Sequence, residues 1–261
     1  AVNGPVRTTN PGNLTVDNHN VNDITQETWS VAAKLSQEWS LGETRLKIGF
    51  ARFDDAQDEY ENEVEFDRTS PRFTGDLMAR RIRDEEISLG LEHALPIGES
   101  AKLVFGAFMQ DKDRDTDLAE SRDRYNLTAA NRQGYDQFSR DPNEFVRTPP
   151  VALAPIPGGL NSINEDRRDL FALVEGNGGS LKYEVGVRWE NTKMRIDDQT
   201  VPALSKVEYD FLLPSASVKI DLGKGRITAS AARTVRRPRF DYISPALIEA
   251  ELGDNDLLGN P

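Results

Sequence analysis

Two-residue alternation over Leu181–Phe240 constrains this chain more than any other feature. Leu181, Tyr183, Val185, Val187 and Trp189 share one parity, while Lys182, Glu184, Gly186, Arg188 and Glu190 share the other. Such spacing gives an extended strand one apolar face and one polar face, whereas a helix would scatter both sets around its axis. The pattern recurs downstream. Leu212, Ala216, Val218, Ile220 and Leu222 oppose Ser215, Ser217, Lys219 and Asp221, and after a turn at Gly223-Lys224-Gly225, Ile227, Ala229 and Ala231 oppose Arg226, Thr228 and Ser230. The second return strand is read as running from Arg226 to Phe240.

The same grammar organises the rest of the chain. Trp29, Val31, Ala33, Leu35 and Trp39 form one face of a strand, Leu41–Thr44 a turn, and Leu46, Ile48 and Phe50 the returning face. A second hairpin carries Ile87, Leu89 and Leu91, a turn over 96–100, then Leu103, Phe105, Ala107 and Met109. A third carries Leu170, Ala172 and Val174, the turn Gly176–Gly179, and the strand that ends at Trp189. Four hairpins result, with short turns at one end and long segments (54–85, 111–168, 191–206) at the other. Residues 1–28 read as loop and the rim of a strand, and the stretch 54–67, with its eight acidic residues and no Lys or Arg, as a hydrated loop. Trp29 and Trp39 stand ten residues apart on one face. At about 3.3 Å per residue, tilted by about 40°, that spacing spans roughly 25 Å of height, the apolar band between the aromatic girdles of a membrane barrel. The competing reading of the two Trp is the core of a soluble β-sandwich.

Composition narrows the classes. Hydrophobic residues make up 37% and charged residues 29% of the 261, lean for a globular core but natural where only alternate residues need be apolar. The net charge of −12 argues against a phosphate-bound nucleic-acid partner. Cysteine is absent, which removes disulfides and thiolate metal sites. The longest plain apolar run, Leu103–Met109, is seven residues, far short of a spanning helix, and this says nothing against strands that alternate. Ala1 opens no signal peptide, so the sequence reads as processed or as a piece of something longer.

Four stretches carry a family resemblance. Gly186-Val-Arg-Trp-Glu-Asn-Thr192, Leu212-Leu-Pro-Ser215, Ala231-Ala-Arg-Thr-Val-Arg-Arg-Pro238 and Gly259-Asn-Pro261 resemble, in order and spacing, successive landmarks of the barrel of TonB-dependent outer-membrane receptors. The resemblance implies an all-β, antiparallel up-and-down transmembrane β-barrel of which residues 1–261 are a section, with short periplasmic turns, long extracellular loops and no plug domain. It implies a bacterial outer-membrane receptor for active uptake of a carbohydrate or siderophore-like nutrient. Its partners would be outer-membrane lipid, the small nutrient ligand, and a plug domain and TonB complex reached through other parts of the protein. Two rival functions stay open: a self-contained eight-stranded barrel with a structural or adhesive role, and a soluble extracellular glycan-binding sandwich. Lipid contact at Trp29, Val31, Leu35 and Val187 would exclude the sandwich.

Candidate residues follow from this frame. Trp29, Trp39 and Trp189 are expected at the membrane interfaces, and Arg188 and Glu190 on the lumen side. Tyr125, Arg132, Tyr135, Phe138 and Arg140 interleave rings with cations, a surface suited to covering apolar ligand faces while polar groups fix orientation; the alternative is that they pin a long loop to its neighbours. Arg236, Arg237 and Arg239 are expected at the extracellular rim. Asp111, Asp113, Asp115 and Asp117 recur like the start of a calcium loop, but Thr116 and Arg122 occupy the positions where such a loop needs Gly and Glu, and a solvated strand face is the reading taken. His19 and His93 are the only histidines and no nucleophile elbow or phosphate loop occurs, so no catalytic residue, cofactor or metal ligand is assigned, and no enzyme activity is expected.

Overall fold

The computed structural model describes residues 16–65, 72–126, 152–201, 203–248 and 257–258. Eight strands follow one another in a single antiparallel sheet whose spatial order is the chain order. They are β1 (Val16–Trp39), β2 (Gly42–Glu65), β3 (Arg72–Ile97), β4 (Ala101–Asn126), β5 (Ala154–Gly178), β6 (Leu181–Asp198), β7 (Ala203–Asp221) and β8 (Arg226–Ala232). A one-turn helix, α1 (Phe240–Ile243), follows, and then β9 (Leu247–Ile248) and β10 (Leu257–Leu258), which pair only with each other. No described helix is long and apolar enough to cross a membrane, which has no bearing on strands.

Antiparallel partners share a face, so the register shows which residues lie together. Leu35 pairs with Leu46, Leu46 with Leu91, Leu91 with Ala107, Ala107 with Leu170, Leu170 with Trp189 and Trp189 with Leu212. This apolar row crosses seven strands on one face. Among the described residues no second sheet packs on it, and Leu35 and Val31 remain 68% and 62% exposed. A sandwich would bury that face, so the sandwich reading fails. The register is also staggered. The row from Trp29 runs through Arg52, Glu85, Asp113 and Asn164 to Arg195 on β6, whereas the apolar band of β6 ends at Trp189, six positions earlier. An apolar band that climbs against the register is what tilted barrel strands require. The sheet is an arc of a barrel: among the described residues β1 pairs only with β2 and β8 only with β7, so these eight strands do not close on one another.

Two expectations change. Val16–Thr28 and Asp54–Glu65 are strand, not loop. Beyond the band both faces of the sheet are polar, so alternation vanishes from the sequence while the backbone ladder continues. At that end β3 begins at Arg72, β4 reaches Asn126, β5 begins at Ala154 and β6 reaches Asp198, whereas the connections at the other end are 40–41, 98–100, 179–180 and 222–225. Above the band, the apolar-side face becomes a collar of ion pairs: Asp54 is held by Arg52 at 2.6 Å and by Arg83 at 2.9 Å, and together the two guanidiniums lower its carboxyl to about 2. Arg168 meets Asp166 at 2.9 Å and Lys193 meets Glu208 at 3.3 Å.

At the short-turn end, Tyr183 lies over Gly176, its register partner: a Cβ on Gly176 would come 2.4 Å from the ring. Glycine is required there by the ring, which covers backbone that would otherwise face lipid. Replacing mid-band Val185 by Arg places a cation on the lipid-facing side near its middle and is expected to cost about 2–4 kcal/mol, whereas Lys193→Arg, in the collar, should change little. Urea midpoints of the protein folded in bilayers measure both.

Candidate functional site

The opposite face of the sheet is polar, and its centre is a buried ionic network on β5 and β6. Asp169 and Glu190, paired in register, are only 1% and 2% exposed. Arg167 grips Asp169 with two bonds of 2.8 and 2.6 Å and reaches Glu190 at 3.1 Å, while Arg188 adds a 2.8 Å bond to Asp169. Both guanidiniums lie over rings on the same face, Arg167 over Phe108 at 5.3 Å and Arg188 over Phe171 at 5.2 Å. Carboxylates this enclosed are tolerated only when charge-assisted bonds fill their oxygens.

The second oxygen of Glu190 is held by Arg237, which arrives from outside the sheet. Pro238 cannot donate to a ladder, and after Ala232 the chain leaves β8 and crosses the polar face as a strap over 233–246. Arg233 N donates to Pro214 O at 3.0 Å at its start. Further along, Asp241 meets Arg114, which also grips Asp84 with bonds of 2.5 and 2.6 Å and lies over the Phe240 ring. Phe240 and Ile243 cover Ile163, Met194 and Ile196, apolar residues that the polar face would otherwise leave wet. Gly158 permits the approach: its φ is +72°, and a Cβ there would lie 2.1 Å from Pro245 O. Asn161 Nδ2 ties the same corner, donating to Gly158 O at 2.7 Å and to Ser244 Oγ at 3.4 Å.

Between strap and sheet lies a cavity of about 480 Å³, lined among others by Asp84, Glu86, Lys112, Arg114, Glu165 and Arg237. Lys112 Nζ sits 3.3 Å from Glu86, which also accepts from Gln110 at 2.6 Å. Nearby, burial and then the Glu165 charge push the Tyr209 phenol above its ordinary value. A second cavity, of about 570 Å³, lies at the short-turn end between Lys102, Glu175, Lys182, Glu184 and Lys219.

The residues singled out from sequence fall as follows. Trp29, Trp39 and Trp189 lie exposed on the apolar face, with Trp29 stacked on Phe50 at 4.8 Å and Trp39 Nε1 donating to Thr44 Oγ1 at 3.0 Å. Arg188 and Glu190 lie on the polar face, inside the network. Tyr125 stands on β4, its backbone paired with Phe73; Arg132, Tyr135, Phe138 and Arg140 lie outside the described residues. Arg237, expected at the rim, turns inward to Glu190 instead, because the strand stops at Ala232 rather than Phe240. His93 is bonded to Thr44 Oγ1 at 2.9 Å, low on the apolar face. Asn164 bridges Asp111 and Asp113 at 3.0 and 2.9 Å, and among the described residues no cluster of three His, Cys, Asp or Glu is placed to hold a metal. Sequence reasoning missed Asp169, Arg167 and Glu165; they have the parity opposite to Leu170, Ala172 and Val174, but charged Asp166 and Arg168 lie between them and only the register shows what they face.

Comparison with known proteins gives one family match and several structural likenesses. Residues 164–250, from β5 into the strap and beyond, match the family described as the outer membrane protein beta-barrel family. No curated protein matches the chain. Among solved structures, the chain is similar to the copper transporter OprC (10% identity, 88% of this chain and 46% of that one, TM-score 0.44). It is also similar to the ferric citrate transporter FecA in its unliganded form (12%, 73% and 27%, TM-score 0.37). A third likeness is to BauA, the ferric preacinetobactin receptor from Acinetobacter baumannii (10%, 80% and 37%, TM-score 0.35). The chain spans less than half the length of each. Lipid-facing band, staggered register and family match together define an outer-membrane β-barrel. The protein resides in the bacterial outer membrane.

Removing the carboxylate of Asp169 leaves Arg167 and Arg188 short of a buried partner, and Asp169→Ala is expected to cost about 3–5 kcal/mol. Asp221→Ala, which breaks only the exposed pair with Arg226, should leave the unfolding midpoint nearly unchanged. Unfolding in urea followed by tryptophan fluorescence separates the two.

Proposed function

We propose that this section belongs to a TonB-dependent receptor that takes up a small nutrient ligand, carbohydrate or siderophore-like, across the outer membrane. The observation that carries the reading is the polar face: a charged, partly dry surface with a cavity, turned away from the lipid-facing side. A barrel that served only as structure has no need of buried carboxylates, which cost desolvation wherever they occur. The order of the landmark stretches from Gly186 to Pro238 supports the same family. In this reading the polar face is the lumen wall, the ligand enters from the end where the strands outrun the membrane, and a plug and the TonB complex act through other parts of the protein. No step of the function asks for catalysis.

The self-contained structural or adhesive barrel is the weaker reading, because eight described strands leave both edges of the sheet unpaired and lipid does not tolerate open edges. Cells carrying the full-length gene, its deletion, or a disrupted TonB complex decide the matter. Growth on a limiting carbohydrate or iron-chelate source should fall equally in the last two. Growth that needs the barrel but is indifferent to the TonB complex would overturn the proposal.

A further inference from the structure

Among the described residues, Glu165 is the one carboxylate of the strap cavity with neither a hydrogen bond nor an ion pair. It is 4% exposed. Its register partner on β4 is Lys112, yet the ammonium of Lys112 goes to Glu86 at 3.3 Å. One lysine thus stands between two carboxylates. Were it to turn to Glu165, Glu86 would keep only Gln110. Arg114 serves both Asp84 and Asp241, and Arg237, whose charge acts on Glu165, gives its ion pair to Glu190.

We infer that the cavity under the strap binds the cationic end of an organic ligand, an ammonium or guanidinium, through Glu165. This rests on the reading of the polar face as an uptake path and adds the class of ligand. The Arg237 charge acts on Glu165 with no bond between them, so the carboxylate oxygens stay open and an arriving ammonium or guanidinium adds charge-assisted hydrogen bonds there. A donor with several N–H groups suits the site better than a metal ion, because Asp84 and Glu86 are already occupied by Arg114 and Lys112 and no three-carboxylate cluster converges there. The volume of about 480 Å³ takes a polyamine or a short peptide. Phe240, its ring already beneath Arg114, walls one side.

Equilibrium titration of the full-length protein in detergent with spermidine, L-argininamide and calcium chloride tests the inference. At least one of the two amines should bind saturably, at least tenfold more weakly to Glu165→Gln, and with intermediate affinity to Glu165→Asp, which keeps the charge but shortens the reach. Glu208→Gln, on the other face, should bind as wild type does. Heat-modifiable mobility on gels confirms that each variant is folded. Binding of calcium alone, binding that Glu165→Gln and Glu165→Asp both leave unchanged, or no saturable binding of either amine would overturn it. Because the titration needs no energised membrane, its failure would remove the ligand class and leave the TonB-dependent reading to its own growth test.

Discussion

Everything in this structure depends on the rule that a chain in hydrocarbon must satisfy its backbone polar groups internally. A continuous antiparallel ladder does so, and once it is in place the two faces of each strand are free to differ. Seven aligned strands put Leu35, Leu46, Leu91, Ala107, Leu170, Trp189 and Leu212 on one face, where no other part of the described chain covers them. In water such a surface would promote aggregation; in a bilayer it is the ordinary boundary with lipid. The lean apolar content of the chain follows, since the other face owes nothing to the membrane.

What the other face does with that freedom is less ordinary. It buries Asp169 and Glu190 among three arginines and draws a strap across them. The strap makes two kinds of contact: Arg237 bonds to the ionic network and Asp241 to Arg114, while Phe240 and Ile243 cover an apolar patch. Ion pairs fix its register while apolar burial supplies most of the adhesion, because a buried pair gains little over its desolvation cost. Gly158 marks the closest approach, and any side chain there would push the strap away.

Much of the fold was legible in the sequence, and the reason is parity. Between the girdles each residue is either lipid-facing or not, so Trp29, Trp39, Val185 and Arg188 announce their faces. Above the girdle that constraint ends. Val16–Thr28 and Asp54–Glu65 are strand by backbone pairing, but with both faces polar nothing in their order records it, and they read as loop. The strap was misread for the opposite reason: alternation through Ala231 suggested a strand up to Phe240, although Pro238 was there to limit it. The functional face was legible only in part. Arg188 and Glu190 could be assigned to it by parity, whereas the pairing of Glu190 with Arg237, 47 positions away, and the isolation of Glu165 come from packing that no local pattern encodes.

The central claim is that odd positions of β6 face lipid and even positions do not. Because these 261 residues contain no cysteine, single cysteines placed in turn from Tyr183 to Glu190 can be probed in native outer membranes with a lipid-soluble and a water-soluble thiol reagent. The account predicts that positions 183, 185, 187 and 189 react with the lipid-soluble reagent and that 184, 186, 188 and 190 are protected from it. Uniform labelling along the strand, or lipid access at the even positions, would contradict it.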